Sequence, residues 1–474
     1  MRSRLQHYIG GAWVDSEGGT RHQVINPATE QPCTEIVLGS AADVDKAVDA
    51  AQAAFASFSR TSVDERLALL ERIVEGYKAR AGELAEAVSQ EMGAPIGIAR
   101  SAQVGAGLGH VLGAIKALRD FEFEERIGNS LVVHEPIGVV ALITPWNWPL
   151  NQIMAKVAPA LAAGNAMILK PSEEAPTNAM IVAEILDAAG VPPGVFNLIN
   201  GDGPGVGTAL ASHKGIDMVS FTGSTRAGIL VAKNAADTVK RVHQELGGKS
   251  PSVILESADM AKAVQANLMS VLINSGQSCV SPTRMLVPRG RQDEAIAIAG
   301  QVMSATQVGD PAEEGRHLGP LVNKAQWDKV QGLITKAMQD GAKLETGGPG
   351  RPDGLETGYY VKPTLFSNVT NEMTIAREEI FGPVVTIIPY DSEDEAIAIA
   401  NDTDYGLSAQ VHGDAEAVRR VAPQLRAGQV SINGAMGEGG LPFGGYKQSG
   451  NGREGGKFGL ADFMEIKTLI GAAA

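Results

Sequence analysis

The stretch from Val139 to Thr222 constrains the fold of this chain more than any other. It holds Val139-Val140-Ala141-Leu142-Ile143 and Ala166-Met167-Ile168-Leu169, two runs without a polar residue, followed by mostly apolar runs at 195–199 and 218–222. Strands that are apolar on both faces must be covered on both. Helical stretches near 177–189, after Gly203 and after Ser224 alternate with them, so the segment predicts an α/β, doubly wound parallel sheet of the nucleotide-binding kind. Upstream, Val44, Ala47, Val48, Ala51, Phe55 and Phe58 recur at helical spacing, and 63–90 continues the pattern after a break at Ser59-Arg60-Thr61-Ser62. This predicts a helical N-terminal region.

A second α/β series begins near Ser252 and runs to about Ile432, with strand candidates at 284–287, 384–388 and 429–432. It predicts a second lobe packed on the first. Segments 124–135 and 463–469 read as strand material with no obvious local partner, and unpaired strand edges invite pairing with another subunit. No low-complexity linker and no short repeat interrupts the chain.

The chain has 474 residues, enough for two or three lobes, and a formal net charge of -14. Lys and Arg form no cluster, so neither a nucleic acid nor a membrane surface is expected as a partner. No apolar run has the length of a signal peptide core or of a transmembrane helix. Two cysteines, Cys33 and Cys279, cannot build a disulfide framework, and no Cys/His spacing suggests a metal site. A reducing, cytoplasmic setting is expected.

Cys279 ends the polar, glycine-bearing run Asn274-Ser275-Gly276-Gln277-Ser278, just after a helix-like apolar stretch. A lone cysteine is as often a small buried hydrophobe. Two other segments change its meaning: Glu245-Leu246-Gly247-Gly248-Lys249-Ser250-Pro251 and Pro145-Trp146-Asn147-Trp148-Pro149. Together the three offer a nucleophile, a carboxylate base and an amide donor, the parts that acyl chemistry on sulfur requires. Taken singly, Glu245 reads as a local cap or ion pair and Asn147 as a turn residue.

Phe221-Thr222-Gly223-Ser224, Glu245-Leu246-Gly247-Gly248-Lys249, Gly276-Gln277-Ser278-Cys279 and Glu379-Ile380-Phe381-Gly382-Pro383-Val384 stand in one order along the chain. With Tyr8-Ile9-Gly10-Gly11-Ala12-Trp13 near the start and Pro442-Phe443-Gly444-Gly445-Tyr446-Lys447 near the end, the sequence resembles the NAD(P)-dependent aldehyde dehydrogenase superfamily, on its hydrolytic, non-acylating side. The resemblance implies an NAD-binding lobe at 1–123 and 136–246, a catalytic lobe at 247–445, and an oligomerisation arm and tail at 124–135 and 446–474. A homodimer or homotetramer follows from the arm.

The resemblance also implies roles for single residues. Cys279 is the nucleophile, Asn147 an oxyanion donor and Glu245 the general base, with Lys170 completing the catalytic set. Cysteine attacks as thiolate, which demands a lowered pKa or a nearby base. Gly201-Asp202-Gly203-Pro204-Gly205-Val206-Gly207 does not give the usual dinucleotide fingerprint. The pyrophosphate is implied instead at Gly223-Ser224, where a strand turns into a helix. Thr144, Pro145, Trp146, Ser172, Gly203, Gly207, Phe221, Thr222 and Leu246 match other cofactor positions. Lys170 and Glu173 match the adenosine ribose, Glu379 the nicotinamide ribose, and Phe381 the aromatic contact beside the nicotinamide. A carboxylate at Glu173 would repel a 2′-phosphate, so NAD is expected over NADP.

Trp148, Gln152, Ser278, Val280 and Phe443 match substrate-pocket positions, and 434–440 supplies a loop of small residues near the mouth. Relatives that oxidise carboxylate-bearing semialdehydes tend to carry an arginine where this chain has Ala155, so uncharged aldehydes are expected as substrates. Two other readings stay open. A CoA-acylating semialdehyde dehydrogenase usually lacks a glutamate at the Glu245 position. A non-enzymatic binding or structural protein on the same fold commonly loses the nucleophile.

Overall fold

The computed structural model describes residues 2–472; Met1 and the last two residues, which close the ranges read for the first lobe and the tail, lie outside the described residues. Four sheets organise the chain. In the largest, the parallel strands run in the spatial order Arg241–Glu245, Met218–Thr222, Val139–Ile143, Ala166–Lys170, Phe196–Leu198. Numbered along the chain from Val139, that order is 5-4-1-2-3, the doubly wound arrangement. The order reverses between Val139–Ile143 and Met218–Thr222, so the turns leaving those two strands splay apart and open a crevice.

Side-chain alternation explains why both faces had to be apolar. Val140, Leu142, Met167 and Leu169 enter one core, while Val139, Ala141, Ile143, Ala166 and Ile168 enter the core on the opposite face. The second sheet repeats the device. Val253, Leu286, Val384 and Ile388 face one core and Ile254, Met285, Val287, Val385 and Ile387 the other. Its strands Thr364–Ser367, Val384–Tyr390, Arg284–Pro288, Pro251–Ile254, Ser408–His412 and Gln429–Ile432 are parallel, with Lys343–Thr346 antiparallel at one edge.

The helical region expected around 43–90 is present as Ala41–Phe58, Val63–Ala79 and Ala81–Met92; five strands precede it, and Cys33 and Ile36 of Gln31–Leu38 are buried. Two of the five, Gln6–Ile9 and Ala12–Asp15, form a hairpin through Gly10 and Gly11, whose positive φ angles suit a tight turn. The segment after Gly203 opens with a π-type turn, Gly203–Gly207, before the short helix Thr208–Ser212, because Asp202 accepts from the Gly205 N–H at 2.7 Å.

The segments expected as strand material are strands, and they pair with one another. Glu124–Ile127 and Ser130–Pro136 form a hairpin, and Met464–Leu469 pairs with Ser130–Pro136 along its whole length. Each segment supplies the partner the other lacked, and 328 or more residues separate them, which is why no local signal showed it. The edges still unpaired are Glu124–Ile127 and Met464–Leu469, and they expose Ile127 and Ile466. Residues beyond 446 also return to the first sheet, where Gly450–Asn451 pairs antiparallel with Arg241–Glu245.

Candidate active site

The crevice of the first sheet meets the second sheet in one cavity of about 140 Å³. From the first sheet it takes Pro145, Trp146, Asn147, Thr222, Gly223, Ser224 and Leu246, all at or just beyond strand ends, plus Gln152 from Pro149–Ala163. From the second come Cys279, Glu379 and Phe381. Ten residues expected at the cofactor or the reacting carbon therefore share one cavity, and Gln152, expected in the substrate pocket, joins them.

The loop before Cys279 is built against the backbone's preference. Asn274, Ser275 and Gly276 have φ of 56°, 55° and 77°. Left-handed geometry costs a non-glycine residue roughly 1–3 kcal/mol and persists only where neighbours hold it. Here Asn274 Nδ2 donates to the Asn147 carbonyl at 2.8 Å, Gln103 Nε2 donates to Asn274 Oδ1 at 3.2 Å, and Ser275 Oγ donates to the Gly319 carbonyl at 2.8 Å. A side chain at Gly276 would run into the Gly382 carbonyl. The Asn147 amide donates to the Gln277 carbonyl at 3.1 Å, and Trp148 Nε1 to Ser278 Oγ at 2.7 Å. The oxyanion-donor candidate and the nucleophile loop are thus fastened to each other.

Cys279 is half-buried and Cys33 buried; both are free thiols. Burial pushes the Cys279 thiol up, and the carboxylates of Glu379 and Glu245 add to this. Of the two routes to a thiolate, a lowered pKa or a nearby base, the surroundings of Cys279 work against the first. Glu379 is itself pushed up by burial, while its Oε1 accepts from the Gly248 N–H at 3.0 Å.

Glu245 ends its strand beside the cavity but does not line it. Neither carboxyl oxygen has a hydrogen-bond partner, and burial pushes its pKa up to about 7, with Glu454 opposing the charge further and His243 favouring it. Its Oε1 lies where a side chain on Gly444 would be, 2.7 Å from that position.

Ser224 caps Thr225–Ala235, accepting from the Ala227 N–H at 3.3 Å, and the remaining first-turn N–H groups lack helical partners. A helix N-terminus of this kind favours an anion. Lys170 Nζ is buried and donates to the carbonyls of Pro171 at 2.8 Å and Gly201 at 2.5 Å, with Glu173 Oε2 at 3.5 Å. Gly207 leaves a side-chain position 3.9 Å from Lys170 Cδ, and Gly203 is exposed. Ser172 is buried one turn away from this group. Phe221 lies behind Gly223, its ring 2.6 Å from where a Gly223 Cβ would stand. Phe381, at φ 64°, meets Trp146 edge to face with ring centroids 5.5 Å apart.

Do these residues fit a dinucleotide? Thr144 Oγ1, Gln152 Oε1 and Thr222 Oγ1 are buried without partners, Gly223 admits close backbone approach, and the capped helix offers N–H groups. A polar, anion-ready cleft with an aromatic wall suits such a ligand.

Phe443 is not in this cavity. With Ala155, Asn151, His110 and the 436–441 loop it lines a second cavity of about 500 Å³. Val280 is half-buried beside Cys279. Sequence reasoning missed Gln326 and Lys329, which reach the first cavity from Lys324–Gln339; on an amphipathic helix such residues look like any solvated face. It also missed His243, although His243 shares a strand face with Glu245 two residues on.

The family model for the aldehyde dehydrogenase family matches residues 13–469. A 3-succinoylsemialdehyde-pyridine dehydrogenase from a Pseudomonas species is 55% identical over 473 residues, 99% of each chain. A crystal structure of aldehyde dehydrogenase from Bartonella henselae superposes with a TM-score of 0.98 at 48% identity, covering 99% of this chain and 100% of that one. A mutant of aldehyde dehydrogenase C from Pseudomonas syringae, in complex with NAD+ and octanal, gives 0.98 at 52% identity, with 99% and 97% covered. The chain belongs to the aldehyde dehydrogenase family. Its activity is accordingly the oxidation of an aldehyde.

Proposed function

We propose that the chain oxidises an uncharged aldehyde to the carboxylic acid with NAD, by covalent catalysis on Cys279 and hydrolysis assisted by Glu245. The observation that carries this reading is the single cavity in which Cys279, the Asn147 turn, Glu379 and Phe381 meet the Ser224-capped helix. The thiol gives its proton to solvent water, the sulfur adds to the aldehyde carbon, and the carbonyl π pair moves to the oxygen as an oxyanion. Asn147 Nδ2 and the Cys279 N–H are the donors for that charge, each worth about 3–4 kcal/mol in such a role. The cofactor, when bound, supplies the hydride acceptor and a positive charge that offsets the carboxylates holding the thiol protonated. Loss of hydride from the thiohemiacetal leaves a thioester on Cys279. Glu245 then takes a proton from water as the water oxygen attacks, the carbon–sulfur bond breaks, and the acid departs.

A thioester can also pass to CoA. The carboxylate at Glu245 favours hydrolysis, and a mixture of aldehyde and CoA should yield free acid with no acyl-CoA. Glu173, half-exposed beside Lys170, supports NAD over NADP by repelling a 2′-phosphate.

The larger cavity supports uncharged substrates. Ala155 and Phe443 line it, no Lys or Arg does, and Glu438 at its rim would repel a distal carboxylate. Octanal, in the Pseudomonas syringae complex, is an uncharged aldehyde, and the name of the other Pseudomonas relative specifies a pyridine-bearing one. Each methylene buried there adds about 0.8 kcal/mol. The test is kcat/KM for hexanal, benzaldehyde and succinic semialdehyde with NAD; a clear preference for the last would overturn the substrate reading.

We place the enzyme in the cytoplasm as a homodimer or homotetramer. No helix among the described residues is long and apolar enough to cross a membrane. The free edges Glu124–Ile127 and Met464–Leu469, with Ile127 and Ile466 exposed, support assembly through the arm.

A further inference from the structure

Arg241, His243 and Glu245 alternate along one strand and so point from one face. Each meets the C-terminal part of the chain. Arg241 Nη1 donates to the carbonyls of Asp462 at 2.8 Å and Met464 at 2.7 Å, fixing the end of Gly456–Asp462 against the strand. His243 Nδ1 bonds Asp462 Oδ2, which also accepts from the Arg453 N–H at 3.4 Å. The other ring nitrogen, Nε2, stands 3.7 Å from Glu245 Oε1.

Two glycines make the room. A Cβ on Gly452 would stand 2.7 Å from both Asp462 Oδ2 and His243 Nδ1, and one on Gly444 would stand 2.7 Å from Glu245 Oε1. Any other residue at either position would break the line Asp462, His243, Glu245. Among the described residues His243 Nε2 and both Glu245 oxygens are otherwise without hydrogen-bond partners, so each is the nearest polar group the other has to answer.

We propose that His243, clamped by Asp462, is a positioning residue for Glu245, holding its carboxyl at rest beside Gly444 and keeping it charged for its turn as base. The inference rests on the reading of Glu245 as the base that activates the hydrolytic water. The charged groups that face this line act in both directions. Glu454 opposes a second negative charge at Glu245, while Lys156, whose Nζ bonds Glu454 Oε1 at 2.6 Å, spends its charge on that partner. Burial disfavours a charged His243 ring, but the hydrogen bond to Asp462 and the nearby Glu245 carboxylate prevail and push its pKa up to about 9; Lys156 opposes the ring's charge and Glu454 favours it. A cationic ring thus stands beside the carboxyl at neutral pH. Asp462 is itself held low, burial opposing and His243 prevailing, and its side chain reaches the surface at 27% exposure.

Removing the ring's charge leaves Glu245 facing burial and Glu454, offset only by Lys156, so its protonated form gains. The test follows steady turnover of a saturating aldehyde with NAD against pH, together with the NADH formed in the first turnover, for the parent, His243→Gln, Asp462→Asn and Glu245→Gln. Asp462→Asn keeps shape at a partly exposed site, which guards against a variant that fails to fold. The expected result is that the rising limb of turnover moves to higher pH by about one unit in both His243→Gln and Asp462→Asn, with first-turnover NADH retained. A limb that stays in place in both, or a loss of first-turnover NADH and steady turnover in equal proportion at every pH, overturns the proposal. If Glu245→Gln turns over at the parent rate, the reading of Glu245 as base fails; if Glu245→Gln stalls after one turnover and the limb stays in place in the other two, only the role of His243 fails.

Discussion

The two parallel sheets are built alike and used oppositely. The first gives the site its C-terminal edge: Pro145 to Asn147, Gly223 and Ser224, and Leu246 all follow strands. The second gives its N-terminal edge, since Cys279 precedes Arg284–Pro288 and Glu379 and Phe381 precede Val384–Tyr390. In an α/β sheet the C-terminal edge carries the N-termini of the following helices, so the first sheet brings a capped helix end suited to an anion. The N-terminal edge brings no such partial charges, and the second sheet brings reactive side chains instead. The two edges thus bring different groups to one site, the first a helix N-terminus with Asn147 and Glu245, the second Cys279 with Glu379 and Phe381, and each edge can be perturbed by itself.

The largest effect is expected from Cys279→Ala, which removes the nucleophile and leaves the first sheet untouched. Aldehyde oxidation should fall by roughly 10⁴-fold or more, while NAD affinity, read by calorimetry, changes only slightly. Retained turnover would remove Cys279 from the chemistry. Next comes Glu245→Gln, with steady turnover lower by roughly 10²–10⁴-fold but a first-turnover burst of NADH preserved. In the parent the base works as carboxylate, and its pKa of about 7 means that hydrolysis-limited turnover climbs as pH rises through that value. A flat profile between pH 6 and 8, as an order-of-magnitude window around that pKa, would show that another group activates water.

The smallest and sharpest test is a pair of glycine substitutions. Gly223→Ala would press on the Phe221 ring at the first edge, and Gly276→Ala on the Gly382 carbonyl at the second, at φ 77°. The first should raise KM for NAD about tenfold with kcat nearly kept, and the second should lower kcat about tenfold with KM for NAD nearly kept, each equivalent to about 1.4 kcal/mol. If both variants change the same constant, the two edges are not separate in function.

Much of this was legible because the physics was local. Val139–Ile143 and Ala166–Lys170 are apolar on both faces, so a covered parallel sheet was forced, and the turns after such strands are where ligands sit. Cys279 and Glu245 stood out by their glycine-bearing neighbours. What stayed hidden depends on long separations. Nothing near His243 announces Asp462, 219 residues later, and nothing near Ser130–Pro136 announces Met464–Leu469. The upward shift of the Cys279 thiol was equally out of reach, since it comes from enclosure and from Glu379 a hundred residues on. Gln326 and Lys329 carried no signal, because a helix face directed at a cleft has the same composition as one directed at water.

The two-residue strand Gly450–Asn451 has a consequence for how the chain is made. It covers the outer edge of Arg241–Glu245, the strand that ends in Glu245, yet 207 residues of chain separate Gln244 from Asn451. While the ribosome is still at work, that edge offers bare N–H and C=O groups to any passing strand. Until Gly450–Asn451 pairs with it, that edge stays adhesive, and the same short pairing that closes the sheet lies directly beside Glu245, the proposed base.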